Sequence, residues 1–297
     1  MDKRRIRDLI GTKLMLAATI FASILFFLIF LTLLNKSLFI LETNSIADIL
    51  FSSLWNPERG QFGLFPIIIG TVIVTALSLL IAIPVSLLSA VYLAEYAPKK
   101  IRQILRPFID VLAGVPSVVY GLCAFIFLVP LVRDVIAPWF GIGSTGFCVF
   151  TASLILSVMV FPIIISLCVE SFIALPVELK ESSLSVGATK WETVKKVTFR
   201  ASAPSIISAI LLGFGRAFGE TIAVNMVIGG KSMIPSTLFD PSETLASRIA
   251  SAYGEMMSIP KYESALMFMA LILFVVVLIF NLLGVLILRR AKKRWNY

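Results

Sequence analysis

Six long apolar segments divide the chain, and each is long enough to cross a membrane as a helix. A helix needs about 20 apolar residues to span the roughly 30 Å hydrocarbon core of a bilayer. The predicted spans are Leu14–Leu34, Phe65–Leu93, Pro107–Leu131, Phe147–Ser171, Pro204–Ile228 and Ala265–Leu288. No segment alternates polar and apolar residues as a membrane-spanning strand would. The pattern therefore predicts an all-α polytopic membrane protein with six transmembrane helices.

Composition supports the same class, because 59% of the 297 residues are hydrophobic and only 14% are charged. Soluble domains carry about 25% charged residues, so a soluble globular protein is excluded. The sequence contains no histidine, which removes the commonest zinc ligand and the usual base of Ser–His and Cys–His catalysis. Cys123, Cys148 and Cys168 lie in or beside apolar runs, and we interpret them as small buried hydrophobic residues rather than a disulfide or metal site.

The distribution of Lys and Arg sets the orientation. Of these 26 residues, 19 fall in the N-terminal stub, the second and fourth connections and the C-terminal tail. Cytoplasmic loops carry such an excess, so both termini are predicted to be cytoplasmic. The organisation is then a cytoplasmic stub over 1–13, a transmembrane domain over 14–288 and a basic tail over 289–297. The net charge of +9 follows from this topology and suits anionic lipid; nothing points to a nucleic-acid interface.

The inner connection over residues 170–202 predicts two short helices. Gly187 can end the first helix, and Thr189 with Glu192 forms a capping box for the second. Trp191 then lies on an apolar side of the second helix. Such a side fits a groove on a partner protein, and it also fits the lipid headgroup layer, where Trp and Lys are both common.

The outer connection predicts an amphipathic helix over 240–257. Asp240 can cap a helix that begins at Pro241. Apolar residues then fall near one face, and they are Leu245, Ile249, Ala252 and Met256. This helix is either a lid packed on its own bundle or a surface for docking and gating.

Two charged residues, Arg216 and Glu220, interrupt the fifth predicted span. Arg216 lies twelve residues after Pro204, about 18 Å along a helix and close to the midplane. An arginine there costs roughly 2.5–3.5 kcal/mol on insertion scales, so such residues usually face a polar interior. Glu220 follows at i+4, close enough to pair with Arg216. The pair is either a staple between helices or the lining of a path for a polar solute.

Small residues accompany the charged pair. Gly215, Gly219 and Ala223 recur every four residues, a spacing that lets another helix approach closely. Arg216 and Glu220 each follow one of these glycines by one residue. The spacing predicts a tight helix packing seam with polar residues along its side.

A third charge, Asp110, opens the third predicted span and is followed by Gly114, Pro116 and Ser117. These residues are expected to break or kink the helix, and interrupted membrane helices are tolerated where they line a cavity. Asp110 could equally lie at the headgroup level. A further alternative is an intramembrane enzyme in which Asp110 and Glu220 act as paired carboxylates.

The stretch "GGKS" at Gly229–Ser232 resembles part of a nucleotide-binding loop but does not complete one. A Walker A loop needs a glycine five residues before its last glycine, and Asn225 stands there. Any ATP-driven activity would therefore need a separate ATPase subunit.

Several segments resemble the permease subunits of phosphate-specific ABC importers. "ESSLSVG" at Glu181–Gly187 matches the E-A-A-x-x-x-G signature, with Ser182 and Ser183 in place of the alanines. The resemblance is strengthened by "LWNPERGQFGLFPIIIGT", "IPVSLLSAVYLAEYAP", "LAGVPSVVYG", "GRAFGETIAV" and "ETLASRIA", and it covers most of the chain. It departs after the signature, where an I-x-L-P element usually follows: Val197–Arg200 stands there, and the proline comes at Pro204.

The resemblance implies a type I ABC importer permease (MetI-like) fold in the inner membrane, with no catalysis or bound cofactor of its own. It implies pairing with a PstA-like permease around a path for inorganic phosphate. A PstS-like binding protein would deliver the phosphate, and a PstB-like ATPase dimer would use ATP and Mg²⁺. Transport of another oxyanion, such as phosphonate or molybdate, and a phosphate-sensing membrane component remain alternatives.

The resemblance also implies roles for particular residues. Glu181–Gly187 would be the coupling helix seated in the ATPase, with Ala188 and Trp191 beside it. Arg216 and Glu220 match the intramembrane charged pair of the family, which belongs to the phosphate path. Guanidinium suits the oxygens of phosphate, whereas a free carboxylate repels them, so pairing between transport events would explain the presence of Glu220.

Overall fold

The structure, a computed structural model, describes the backbone of residues 3–295 and the side chains of residues 10–57 and 59–289. Most of it is helical. The helices are α1 (Lys3–Thr43), α2 (Ile46–Phe51), α3 (Phe65–Tyr96), α4 (Lys99–Gly114), α5 (Ser117–Trp139), α6 (Val149–Ile173), α7 (Val177–Ser185), α8 (Lys190–Ala201), α9 (Ala203–Gly219), α10 (Ile222–Asn225), α11 (Leu245–Met256) and α12 (Pro260–Trp295). A small hairpin joins β1 (Trp55–Asn56) to β2 (Gln61–Phe62), with Trp55 opposite Phe62.

Five helices of the described chain are long and apolar enough to cross a membrane, namely α1, α3, α5, α6 and α12. Helices α8 and α9 make a sixth span if they are taken together, although they are bent by 71° where they meet. The predicted all-α polytopic class is confirmed.

The third span differs from its predicted limits of Pro107–Leu131. Helix α4 ends at Gly114, and the spanning helix α5 begins at Ser117 and runs to Trp139. The break falls at Val115 because the following Pro116 disfavours helical geometry in the residue before it. Asp110 therefore lies on α4, before the break.

The predicted stub and tail are continuous with the first and last helices. α1 begins at Lys3, so the described residues 3–13 form its first turns. α12 likewise continues to Trp295. Residues 1–2 and 296–297, and the side chains of the basic tail from 290 onward, lie outside the described part of the protein.

Helix α6 forms the centre of the bundle, and 67% of the residues in its most apolar 18-residue stretch are buried. Its surface is apolar on every side, which is typical of a helix surrounded by other helices. Leu156, Met159 and Phe172 of α6 belong to a core that also includes residues of α3, α5 and α9. Cys148 and Cys168 are buried as predicted, whereas Cys123 is exposed, and all three thiols are free.

Helix α1 lies at the edge of the bundle and packs on α12. None of the 18 residues in its most apolar stretch is buried. The helix still contacts α12, since the rings of Phe26 and Phe274 lie 4.9 Å apart. The hydroxyl of Ser264 accepts a hydrogen bond from Ile40 N at 2.9 Å and donates one to Lys36 O at 2.8 Å. The first and last long helices are thus joined near their outer ends.

The outer helix α11 begins later than predicted, at Leu245 instead of Pro241. Its cap is Thr244, which exchanges hydrogen bonds with Ser247. The predicted cap, Asp240, instead accepts a hydrogen bond from Thr237 N at 2.7 Å and so stabilises the turn before the helix. The predicted apolar face of α11 packs in a second core cluster with α1, α2, α3 and α12, as expected of a lid on its own bundle.

Gly70 lets the outer segment lie directly on α3. A Cβ at Gly70 would collide with the Glu243 carbonyl oxygen and lie 2.6 Å from Ser242 Oγ. We expect Gly70→Ala to destabilise the protein by about 1–3 kcal/mol, as overpacking does, and to lower the thermal midpoint in detergent. Gly254→Ala is the control, because no atom lies within 4 Å of its Cβ position. An unchanged midpoint for Gly70→Ala would contradict this close approach.

Candidate substrate path and coupling surface

The fifth predicted span is broken at Glu220. Helix α9 ends at Gly219, Glu220 has extended backbone angles (φ −69°, ψ 126°), and the short α10 follows. The predicted continuous helix to Ile228 is therefore wrong. Side chains stabilise the break: Glu220 Oε1 accepts a 3.4 Å hydrogen bond from Ala223 N, and the Thr221 hydroxyl donates one to Gly219 O at 3.1 Å.

Arg216 lies in the last turn of α9, where a positive charge suits the helix dipole. The predicted ion pair with Glu220 is not formed among the described side chains. The break is the reason, because it takes Glu220 out of the i, i+4 relation to Arg216. The Nε atom of Arg216 is buried and has no hydrogen-bond partner in the described chain.

The Tyr120 side chain bridges the break between α4 and α5. Tyr120 is buried near the start of α5, and its hydroxyl donates a 2.8 Å hydrogen bond to Leu112 O across the break at Pro116. The next residue, Gly121, approaches α10, since a Cβ there would lie 3.0 Å from Ala223 Cα. The two interrupted helices therefore meet about one turn after Ser117. Tyr120 was not selected from the sequence, since an aromatic residue in an apolar run gives no signal of its own.

Asp110 and Pro116 are exposed, and Ser117 is half-buried. Among the described side chains Asp110 forms no ion pair and no hydrogen bond with Glu220. Neither Asp110 nor Ser117 is joined to Arg216 by an ion pair or hydrogen bond among the described side chains.

The predicted small-residue seam is not formed within the described chain. No atom lies within 4 Å of a Cβ built at Gly215 or Gly219, and Gly219 borders a cavity of about 540 Å³. Ala223 is on the separate helix α10, where it packs against another glycine. A Cβ at Gly121 of α5 would lie 3.0 Å from Ala223 Cα, so Gly121 is the residue that permits close packing.

The inner connection over residues 170–202, called the coupling segment below, forms the two short helices that the sequence predicts. α7 carries Glu181, Ser182 and Ser183 and ends with Gly187 in the left-handed region at φ +87°. Gly187 N donates to Leu184 O at 3.0 Å, and the next amide, of Ala188, donates to Ser183 O at 3.3 Å. These two bonds form a Schellman motif.

The second helix of the segment, α8, begins with the predicted capping box of Thr189 and Glu192. Trp191 is 50% exposed and Val186, at the turn between the helices, is 84% exposed. Both are large apolar side chains on the basic side of the protein. Exposed apolar residues in a rigid turn form a surface suited to contact with another protein.

Comparison with known proteins agrees with this architecture. The family model described as "Binding-protein-dependent transport system inner membrane component" matches residues 82–295. The chain belongs to this family. It is therefore a multi-pass inner-membrane permease component, and α1 lies before the matched region.

Curated relatives cover most of the chain. The phosphate transport system permease protein PstC of Pasteurella multocida is 36% identical, over 81% of this chain and 79% of its own. The probable ABC transporter permease protein YqgH of Bacillus subtilis is also 36% identical, over 86% and 82%. The probable phosphate transport system permease protein PstC of Methanocaldococcus jannaschii is 33% identical, over 84% of each.

Solved structures support the fold. A bacterial alginate ABC transporter in complex with an alginate-bound periplasmic protein aligns with a TM-score of 0.65 at 18% identity, over 97% of this chain and 99% of that one. The inward-facing methionine transporter MetNI aligns with a TM-score of 0.60 at 17% identity, over 80% and 99%. The expected MetI-like permease fold is confirmed.

The left-handed geometry of Gly187 leads to a prediction for the coupling segment. Gly187→Ala meets no atom within 4 Å, so its cost is conformational, about 1–2 kcal/mol. We expect the peptide containing Gly187 and Ala188 to exchange its amide hydrogens roughly tenfold faster, measured by mass spectrometry. Gly114→Ala, at a helix end with ordinary φ and equally open surroundings, should leave exchange in this peptide unchanged. Equal rates in wild type and Gly187→Ala would contradict the Schellman termination.

Proposed function

We propose that this chain is a permease subunit of an ABC importer that carries inorganic phosphate across the cytoplasmic membrane. The observation that carries the proposal is Arg216, whose buried Nε has no partner in the described chain. A cation inside the membrane is costly unless it meets a partner, and a phosphate oxygen is a suitable acceptor. The names of the curated relatives support phosphate as the substrate.

Other oxyanions are the nearest alternative, because a guanidinium would also bind phosphonate or molybdate. A subunit that only senses phosphate is a second alternative, and transport distinguishes it. In our proposal Arg216 and Ser117 belong to the substrate path, Tyr120 borders it, and Glu220 stabilises the helix break beside it. Substrate then has no carboxylate to displace from Arg216.

The proposed assembly has four kinds of subunit. A PstA-like permease would pair with this chain, and Gly215, Gly219 and the face around Asp110 and Pro116 would be turned toward it or toward the path. A PstS-like protein would deliver phosphate. A PstB-like ATPase dimer would bind ATP and Mg²⁺, so that this chain performs no covalent chemistry and binds no cofactor.

Phosphate uptake by Arg216→Ala tests the substrate path. In vesicles that hold the full assembly, we expect uptake to fall at least about tenfold, because charge-assisted hydrogen bonds contribute about 1.5–3 kcal/mol. ATP hydrolysis, measured in parallel, should persist. Arg133→Ala is the control, since Arg133 is exposed and pairs with the neighbouring Asp134. Wild-type uptake by Arg216→Ala would assign Arg216 a structural role and contradict the proposal.

The exposed turn at Val186 tests the coupling surface. A carboxylate buried at an apolar contact costs several kcal/mol, so Val186→Asp should lower co-purification of the ATPase subunit by about tenfold or more. Gln103→Asp introduces the same charge at an exposed position on α4 and should leave co-purification unchanged. Full recovery of the ATPase with Val186→Asp would show that this turn is not the contact.

A further inference from the structure

Lys180 of the coupling helix α7 reaches back into the bundle. Its Nζ lies 2.7 Å from Oε1 of Glu95, at the cytoplasmic end of α3, and their side chains are only 20% and 12% exposed. The same ammonium donates a 3.0 Å hydrogen bond to Phe172 O near the end of α6. One cation therefore joins the coupling helix to two central helices of the bundle.

A second cation contacts the same end of α3 from α8, the helix that follows the coupling helix. Nζ of Lys190, the first residue of α8, lies 4.6 Å from the ring centre of Tyr96. Tyr96 follows Glu95 directly, so α7 and α8 both contact the same end of α3. Gly187 lies between these two helices in the chain. The distance is within the range of a cation–π contact.

The end of α3 that receives both contacts has unusual backbone geometry. Residues Tyr92–Tyr96 form a π-helical turn, a feature found often at functional sites. Arg102 of α4 donates hydrogen bonds of 2.7 Å to both Leu93 O and Ala94 O in this turn. The turn is thus stabilised by three cations from three different helices.

The neighbouring ion pair on this side of the membrane differs in burial. Arg106 and Glu170 lie 2.8 Å apart and join α4 to α6, but their side chains are 48% and 60% exposed. Water can replace either partner there, and exposed pairs contribute little. Loss of one partner from the Lys180–Glu95 pair instead leaves a charge with few water contacts.

We propose that the Lys180–Glu95 pair is the link through which movement of the coupling helix reaches membrane span α3. This rests on the proposed function in one respect, that α7 is moved by an ATPase. Lys180 and Glu95 are positioning residues: they fix the coupling helix relative to the spans and do not touch substrate. Without the pair, α7 can follow the ATPase while α3 stays behind.

The test compares uptake with ATP hydrolysis in the complete transporter in vesicles. Glu95→Gln and Lys180→Met should each lower phosphate taken up per ATP hydrolysed by about tenfold or more, with hydrolysis retained. The double variant should be no worse than the single ones, because partners in one interaction are not additive. Lys180→Arg keeps the charge and the donors and should restore the ratio to near wild type. Glu170→Gln, which breaks the exposed pair, is the matched control and should have no effect.

Two results would overturn the link. One is a wild-type ratio in Glu95→Gln and Lys180→Met. The other is a parallel loss of hydrolysis and uptake, since the pair would then serve the fold or the ATPase contact. Additive losses in the double variant would argue in the same direction.

A conformational measurement keeps this inference separate from the identity of the substrate. In the assembled complex trapped with ATP and vanadate, hydrogen exchange in the peptide over 92–96 should change relative to the nucleotide-free state. Glu95→Gln should abolish that change whatever solute is carried, and its persistence would refute the link. Absence of phosphate uptake by the wild type would instead refute the proposed substrate.

Discussion

Backbone groups inside a membrane must find partners within the protein, because lipid offers none. This constraint governs the helix breaks after Gly114 and after Gly219. At the break after Gly114, the Leu112 carbonyl accepts a hydrogen bond from the Tyr120 hydroxyl. At the break after Gly219, the Glu220 carboxylate accepts a hydrogen bond from the Ala223 amide. Two polar side chains that could have met a solute are used to stabilise the backbone, and Arg216 is left with a donor to offer.

This arrangement separates the two charges that the sequence places together. In a continuous helix, Glu220 would neutralise Arg216, and a substrate anion would have to compete for the guanidinium. In the broken helix the carboxylate binds backbone instead, so the cost of an unpaired cation is carried by the resting protein. In the proposed function, a partner subunit or a substrate offsets that cost, and this favours the capture of an anion.

The features predicted correctly from the sequence are those with local causes. Gly187 ends a helix because of its own backbone freedom, and the Thr189–Glu192 box depends on residues three apart. The apolar runs likewise predict the spans without knowledge of the partners. The wrong predictions are those that depend on distant residues. The start of α11 moves to Leu245, since Asp240 stabilises an earlier turn, and the small-residue stripe fails because the chain bends at Glu220. Tyr120 and Gly121 could not be selected, since their roles arise only when Tyr120 bonds to α4 and Gly121 meets α10.

The contact between α1 and α12 has a consequence for how the protein is made. Ser264 completes the hydrogen bonding at Lys36 and Ile40, yet more than two hundred residues of chain separate them. During translation α1 enters the membrane long before its partner exists. Residues 14–34 of α1 carry no charge, so this part of the helix is stable in lipid without α12. The outer core cluster closes only when the final helix has been inserted. The last step in the assembly of this bundle is therefore the packing of α12 against α1, the first helix of the sequence.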